Sequence, residues 1–241
     1  MPSTLIITGA GVSVESGIQP FRGKSGIWEE NPMEMATFHK YSTDPYHFLS
    51  WYHSRFVSVR NAQPNEAHRI MANQKLRVIT QNVDGLHALA GHPSELLIEI
   101  HGNLHYKRKM NATHRSQLEA ASWDDLDVSD LRNSLGKFFN IGPGGELSEK
   151  KSYRPHILLF DEYYTELYEI EKARQWMLEA ETILFMGTSN AVGITSMALE
   201  LALDHGKEVV VVDPNPAPSF RYPGVRFYNT TATEFCREHW L

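Results

Sequence analysis

The chain has 241 residues, of which 41% are hydrophobic and 22% charged, and its formal net charge is −6. This is the composition of an ordinary globular protein, and the negative charge argues against binding to nucleic acid or to an anionic membrane surface. The single cysteine, Cys236, excludes an internal disulfide and a metal site made of thiolates alone. We expect a cytoplasmic protein, because the sequence shows neither a signal-peptide pattern nor a membrane-spanning apolar stretch.

Short apolar runs rich in β-branched residues alternate with helical patterns along the chain. This alternation predicts an α/β fold with a doubly wound, Rossmann-like parallel sheet. The predicted strands are 4–8, 76–80, 96–100, 156–160, 182–186, 208–212 and 225–228. The predicted helices are 45–60, 65–74, 165–179 and 195–205.

Two segments interrupt this alternation. Residues 23–40 are rich in Gly, Pro and Met and are predicted to form a mobile loop. Residues 103–153 are polar, with a predicted helix at 116–139 and a Gly-Pro-Gly-Gly turn. We therefore predict one domain over 1–241. Its Rossmann-like core covers about 1–23, 57–102 and 154–241, and its smaller inserted lobe covers about 24–56 and 103–153.

The first candidate ligand loop follows the strand predicted at 4–8. Gly9 and Gly11 allow a ligand to approach the backbone closely, and the start of the next helix offers N–H groups to a pyrophosphate. Ser13 adds a hydroxyl, and Arg22 can face the same ligand. The usual dinucleotide fingerprint has a third glycine where this chain has Val14. Taken alone, this loop fits a packing turn equally well.

Four more polar loops follow predicted strands, at the edge of the sheet where open α/β folds bind ligands. Gln81, Asn82 and Asp84 can bind a carboxamide and sugar hydroxyls, although the same residues also form ordinary turns. His101, which precedes Gly102, is a candidate general base or a structural histidine. The other two loops contribute Gly187, Thr188, Ser189, Asn190, Asp213 and Asn215.

Taken together, these motifs resemble those of the sirtuins, the NAD-dependent protein lysine deacylases. The resemblance covers nearly the whole chain and keeps the family's order. Sirtuins have a variant first loop in which the third glycine is not expected, which accounts for the valine. The matching motifs are GAGVSVESGI, PFRG, TQNVDGLH, HG, RPHILLFDE, GTSNAV and DPN.

The resemblance implies a reaction in which NAD is consumed and nicotinamide and O-acyl-ADP-ribose are released. It implies that His101 is the general base and that Asn82 is also catalytic. An acylated-lysine protein substrate would lie against Val192, Phe160 and Glu162, adding as a strand between the two lobes. The residues implied to bind NAD are Gly9, Ala10, Gly11, Ser13, Phe21, Arg22, Gln81, Asn82, Asp84, Gly187, Thr188, Ser189, Asn190, Asp213 and Asn215.

The chain departs from the family in the inserted lobe. Most sirtuins hold a structural zinc ion there on four cysteines, whereas this chain reads KMNA at 109–112, where the first cysteine pair would fall. We therefore expect no metal site, because the remaining histidines lack supporting thiolates. The lobe would be held by its own apolar residues instead. The candidates are Leu118, Trp123, Leu126, Leu131, Leu135 and Phe138.

A pair of residues bears on the acyl group. Tyr52 and Arg55 are three residues apart and so share a helix face. The resemblance implies that such a Tyr-x-x-Arg pair binds an acyl carboxylate, because guanidinium and phenol groups both donate to it. We favour a preference for succinyl-type groups. The alternative is a packed tyrosine beside a solvated arginine.

Two other functions stay open. The missing zinc cysteines keep an NAD-consuming ADP-ribosyltransferase or NAD glycohydrolase in view, because the lobe helps to shape the peptide cleft. A non-catalytic NAD or ADP-ribose sensor is disfavoured, since a sensor has no need of His101 beside Asn82 and Asp84. We expect neither nucleic acid nor membrane as a partner. The oligomeric state does not follow from the sequence.

Overall fold

The structure, a computed structural model, describes residues 3–19, 32–190 and 193–240. Within these ranges the chain forms a six-stranded and a three-stranded sheet. The strands are β1 (Thr4–Thr8), β2 (Arg77–Thr80), β3 (Leu97–Glu99), β4 (Gly102–Lys109), β5 (Glu119–Ala120), β6 (Tyr153–Ile157), β7 (Thr182–Met186), β8 (Glu208–Val212) and β9 (Arg226–Tyr228). The α-helices are α1 (Pro32–Met35), α2 (Phe38–Thr43), α3 (Pro45–Val59), α4 (Glu66–Asn73), α5 (Leu86–Leu89), α6 (Leu131–Phe139), α7 (Ile170–Glu179), α8 (Gly193–Asp204) and α9 (Ala232–Trp240).

The six-stranded sheet is parallel throughout, in the order β3-β2-β1-β7-β8-β9. This order confirms the predicted doubly wound fold. The strand order reverses between β1 and β7, and such a switch point opens a crevice at the carboxyl ends of the strands. The last residues of five strands pair side by side in one row, namely Thr8, Thr80, Glu99, Met186 and Val212.

Helices bury both faces of this sheet. Along β1, Leu5 and Ile7 pack against α7 and α8, whereas Ile6 packs on the opposite face against α4 and α9. Successive side chains of a strand point to opposite faces, so a sheet covered on both sides requires apolar residues at every position. This explains why the strands could be recognised as continuous apolar runs.

The smaller sheet is antiparallel, in the order β5-β4-β6, and it corrects one predicted strand. The strand predicted at 156–160 as part of the parallel sheet is wrong, because the strand there is β6 and it pairs with β4. Strand β4 is polar in sequence and lies almost wholly in the segment predicted as an insertion. Its Arg108 and the Arg154 of β6 are both buried, which apolar patterning cannot indicate.

The helix predicted at 116–139 is also wrong over most of its length. Only α6 is α-helical, and residues 115–130 form short 3-10 turns around β5. Asp127 shows one cause, because its carboxylate accepts hydrogen bonds from the backbone N–H and the hydroxyl of Ser129, which favours a turn over a helix. Of the predicted lobe core, Trp123, Leu126 and Leu135 are buried. Leu131 and Phe138 pack against this core, whereas Leu118 is half-buried outside it.

The other helices lie close to their predicted positions. Those predicted at 45–60, 65–74 and 195–205 are α3, α4 and α8. The helix predicted at 165–179 begins later, as α7, because Glu169 has a positive φ of 54°. Part of the loop predicted at 23–40 is helical, in α1 and α2, and its residues 23–31 lie outside the described residues. In the described part of the chain, no helix is long and apolar enough to cross a membrane.

Candidate active site

The loops after β1 and β7 meet at the switch point of the sheet. The backbone N–H of Gly11 donates to the carbonyl oxygen of Gly187 at 2.9 Å. A Cβ atom on Gly9 would lie 2.7 Å from that oxygen, and one on Gly11 would lie 2.6 Å from the Gly187 Cα. Both glycines of the first loop are therefore required for this contact between loops. Ala10 follows them at the start of a 3-10 helix, Ala10–Ser16.

A buried polar network joins the loops after β1 and β2. The Ser13 hydroxyl donates to Asp84 Oδ2 at 2.7 Å, and the Asn82 amide donates to Ser13 Oγ at 3.0 Å and to the Gly9 carbonyl at 3.1 Å. Burial raises the pKa of Asp84, while the hydrogen bonds from the backbone of Leu86 and from Ser13 oppose this shift. The structure thus brings together the residues predicted from these two loops.

Gln81 connects three further parts of the site. Its amide nitrogen donates to Thr188 Oγ1 at 3.1 Å and to the Thr8 carbonyl at 3.3 Å. Its amide oxygen accepts a hydrogen bond from the Thr195 hydroxyl of α8 at 3.2 Å. The side chain therefore fixes the loops after β1, β2 and β7 relative to one another.

His101 lies at the same edge, just after β3. Its Nδ1 is 3.0 Å from the carbonyl oxygen of Gln81, and its Nε2 is 3.0 Å from the hydroxyl of Tyr164. A carbonyl oxygen only accepts, so Nδ1 carries the proton and Nε2 carries the basic lone pair. Burial lowers the pKa of His101 to about 4, although the hydrogen bond to Gln81 opposes this shift. The imidazole is therefore neutral at pH 7 and can accept a proton at Nε2.

Sequence reasoning missed Tyr164. The residue follows the FDE motif in an irregular segment and sits beside another tyrosine, Tyr163, which is 88% exposed. Nothing in the sequence distinguishes the two residues. Only the structure shows that the Tyr164 ring stacks on His101, with 5.9 Å between ring centroids.

The loops after β7 and β8 form the other half of the site. Ser189 and Asn215 are exposed, and Asn190 has a positive φ of 51°. Asp213 accepts a hydrogen bond from the Asn215 backbone at 2.8 Å, and burial raises the pKa of Asp213. These residues follow β7 and β8, which lie on the other side of the switch point from β3 and His101. The predicted residues Phe21, Arg22 and Val192 lie outside the described residues.

The comparisons with known proteins agree with this geometry. A family model described as the Sir2 family matches residues 9–193. The chain belongs to the Sir2 family. Curated relatives include an NAD-dependent protein deacylase of Thermus thermophilus, 34% identical over 223 residues, covering 88% of this chain and 80% of that one. Another, from Bacteroides thetaiotaomicron, is 29% identical over 243 residues and covers 99% and 96% of the two chains.

Solved structures of Sir2 proteins resemble the chain over almost its full length. A Sir2 homologue in complex with NAD has a TM-score of 0.76 and 28% identity, covering 98% of this chain and 88% of that one. A variant of a Sir2 homologue in complex with ADP-ribose has a TM-score of 0.77 and 28% identity, covering 98% and 90%. These matches confirm the resemblance seen in the sequence motifs.

In this Sir2-family protein, a largely buried ion pair anchors strand β6 of the small sheet. Arg154 donates to both carboxylate oxygens of Glu162, at 2.5 and 2.8 Å. Glu162, predicted to contact substrate, thus pairs with β6, whereas Phe160 is 41% exposed. Within the described ranges, no group of three or more His, Cys, Asp or Glu residues could hold a metal ion.

The predicted acyl-binding pair lies on α3 in this lobe. Tyr52 is buried against Phe48, with 4.6 Å between ring centroids, and burial raises the pKa of its hydroxyl. The Arg55 guanidinium lies over the Trp51 ring, 4.3 Å from its centroid. The two side chains are close enough for the Arg55 charge to act on the Tyr52 hydroxyl. Their role in acyl recognition stays a prediction.

Proposed function

We propose that this Sir2-family protein removes acyl groups from lysine side chains of proteins in an NAD-dependent reaction, releasing nicotinamide and O-acyl-ADP-ribose. The observation that carries the proposal is His101. It is a neutral imidazole at the carboxyl edge of the sheet, and it is bonded to the loop after β2, which also supplies Asn82 and Asp84 to the network with Ser13. The curated relatives are named as NAD-dependent protein deacylases, which supports the same activity here.

NAD is the cofactor, and the residues present fit it. Asn82 and Asp84 offer buried amide and carboxylate groups, and Gln81 a half-buried amide, for sugar hydroxyls and a carboxamide. Ser189 and Asn215 are exposed at the other half of the crevice, where the adenosine part would lie. When bound, NAD supplies the ADP-ribose group that accepts the acyl group and gives up nicotinamide.

The protein contributes a proton acceptor and its orientation. His101 accepts a proton at Nε2 from a sugar hydroxyl of NAD. Loss of this proton makes the sugar oxygen a better nucleophile. The Gln81 carbonyl holds the Nδ1 proton and stabilises the imidazolium that results. Asn82 is fixed by its two hydrogen bonds and by burial, so its amide presents a preset geometry to the ligand. The site thereby supplies orientation and general base catalysis.

We also propose a preference for succinyl-type acyl groups. A carboxylate at the end of the acyl chain would pair with the Arg55 guanidinium and accept a hydrogen bond from the Tyr52 hydroxyl. The proximity of the two side chains on α3 supports this proposal. The stacking of Arg55 on Trp51 helps as well, because it restricts the guanidinium before the substrate binds.

A mass-spectrometric panel tests both proposals. The protein is incubated with NAD and one peptide whose lysine is acetylated, succinylated or glutarylated, and acyl loss is measured for each. Arg55→Met should reduce succinyl removal at least tenfold and leave acetyl removal within about twofold, since a charge-assisted hydrogen bond contributes about 1.5–3 kcal/mol. Arg60→Met, at the end of the same helix, is the matched control.

The outcomes separate the proposals. Acetyl loss that is fastest and indifferent to Arg55 contradicts the succinyl preference but keeps the deacylase. Nicotinamide release with no acyl loss from any peptide contradicts the deacylase and favours an NAD glycohydrolase. Transfer of ADP-ribose to the peptide favours a transferase instead.

A further inference from the structure

Tyr164 is hydrogen-bonded to the basic nitrogen of the proposed catalytic histidine. Its hydroxyl lies 3.0 Å from His101 Nε2, and its ring stacks on the imidazole with an interplanar angle of 23°. The inference drawn from this contact rests on the proposed function, because it concerns the same base.

The direction of the hydrogen bond follows from the other side of the ring. Because Nδ1 donates its proton to the Gln81 carbonyl, Nε2 has only a lone pair to offer, and the Tyr164 hydroxyl must be the donor. Burial raises the pKa of Tyr164 to about 12, with the Ile194 backbone N–H opposing the shift, so the phenol stays protonated at neutral pH. It is therefore a stable donor to the base.

The phenol ring is held in place from several sides. It packs against the hydrophobic cluster beneath the large sheet, and its Cε2 lies 3.8 Å from the position that a Cβ on Gly193 would take. It thus lies between the base and the first residues of α8. A packed aromatic ring with two side-chain torsions loses little entropy in this position.

We propose that Tyr164 protects the catalytic base. Its hydroxyl donates a hydrogen bond to His101 Nε2 in the free protein, and the sugar hydroxyl of bound NAD displaces it. The lone pair of a neutral imidazole lies in the ring plane and accepts one hydrogen bond, so the two hydroxyls compete for it. In the reaction, the sugar O–H bond breaks and the proton moves to Nε2, while Tyr164 keeps its own proton. While the phenol donates to Nε2, the lone pair is not available to another donor.

Removal of the hydroxyl alone tests this proposal. In Tyr164→Phe, NAD has no hydrogen bond to displace, so calorimetry without peptide should show binding about 2- to 10-fold tighter than in wild type. In the ¹⁵N spectrum without ligand, the His101 Nε2 resonance should move to higher frequency, because an unprotonated ring nitrogen resonates there when no hydrogen bond is donated to it. Tyr163→Phe removes the exposed neighbouring hydroxyl and should change neither quantity.

Catalysis gives a third readout. Tyr164→Phe should keep kcat for acyl removal within about threefold, because the phenol has already left Nε2 when NAD is bound. Unchanged NAD affinity with an unchanged Nε2 signal overturns the proposal. A tenfold fall in kcat at unchanged NAD affinity also overturns it, because Tyr164 would then relay the proton. If wild type removes no acyl group at all, the deacylase fails, and the NAD and ¹⁵N measurements still decide the role of Tyr164.

Discussion

A single carbonyl oxygen determines which nitrogen of the proposed base can react. The Gln81 backbone oxygen fixes the Nδ1 proton of His101, which leaves Nε2 as the acceptor, and burial disfavours the charged ring. The same β2 loop supplies Asn82 and Asp84 to the buried network with Ser13. A short stretch after one strand therefore both orients the base and lines the crevice.

The lowered pKa of His101 predicts the pH dependence of activity. His101 must be neutral to accept a proton, and with a pKa of about 4 it is neutral at every pH well above 4. We expect kcat/KM to fall on the acid side with an apparent pKa near 4, measured over the pH range in which the melting temperature shows a folded protein. An acid limb centred near 6.5, the ordinary value for histidine, would contradict this assignment.

The network of Ser13, Asn82 and Asp84 gives a second prediction at this scale. Ser13→Ala deprives Asp84 Oδ2 of its hydroxyl donor, and a buried group left without a partner costs about 1–3 kcal/mol of stability. We expect the free energy of unfolding in urea to fall by this amount and NAD to bind at least fivefold more weakly. Ser58→Ala, an exposed serine that donates to its own helix, is the control. Unchanged NAD affinity in Ser13→Ala would show that the network lies away from the ligand.

At the scale of the elements, the parallel strands and the antiparallel strands differ in how far the sequence reveals them. Strands β1, β7 and β8 are buried on both faces, and their apolar runs predict them to the residue. Strand β4 carries His105, Lys107 and Arg108, so its sequence reads as a loop. Its Arg108 is buried beside Arg154 and Glu162, and ion pairing between residues distant in the chain leaves no local pattern.

The same reasoning separates the predicted from the missed parts of the site. Loops at the ends of apolar strands could be located, because the carboxyl edge of a parallel sheet follows from the strands themselves. The contact between Tyr164 and His101 could not, since it depends on how an irregular segment packs beneath the sheet. The pairing of Glu162 with Arg154 could not be predicted either, because it also depends on packing between segments that the sequence does not connect locally.

The ion pair of Arg154 and Glu162 predicts a large effect on the stability of the protein. Arg154 is 2% exposed, and removing one partner of a buried pair leaves an uncompensated charge. Since Glu162 retains some exposure, we expect Glu162→Ala to lower the free energy of unfolding by about 3 kcal/mol, at the low end for such pairs. Asp124→Ala breaks the exposed pair with Arg60 and should cost less than about 1 kcal/mol. Equal costs in urea denaturation would contradict the structural role of the buried pair.

At the scale of the whole molecule, several buried histidines couple folding to pH. Burial lowers the pKa of His68 to about 4 and of His156 to about 3, and it lowers the pKa of His87 well below its ordinary value. The first of these histidines lies in α4, which packs on the large sheet, and the second lies in β6 of the small sheet, so both sheets are involved. The folded protein keeps these histidines neutral, whereas in the unfolded chain they bind protons below about pH 6.5.

The sign of this coupling gives a testable prediction. A depressed pKa in the folded state stabilises the protein fully above pH 6.5, and the stabilisation is lost as the pH falls from 6.5 towards 4. His156 stacks on Tyr168, and neither of its ring nitrogens has a hydrogen-bond partner. We therefore expect His156→Phe to lower the dependence of unfolding free energy on pH in this window, while Ser58→Ala, which removes no titratable group, leaves it as in wild type. An identical slope in His156→Phe would contradict the account.

The stoichiometry of the reaction tests the central claim most directly. Wild type and His101→Ala are incubated with NAD and an acyl-lysine peptide, and nicotinamide and deacylated peptide are quantified by mass spectrometry over time. We predict equal amounts of the two products from wild type, together with O-acyl-ADP-ribose, and a loss of at least 100-fold in His101→Ala, since general base catalysis contributes 10²- to 10⁴-fold. Nicotinamide formed without deacylated peptide, or a His101→Ala variant as active as wild type, would contradict it.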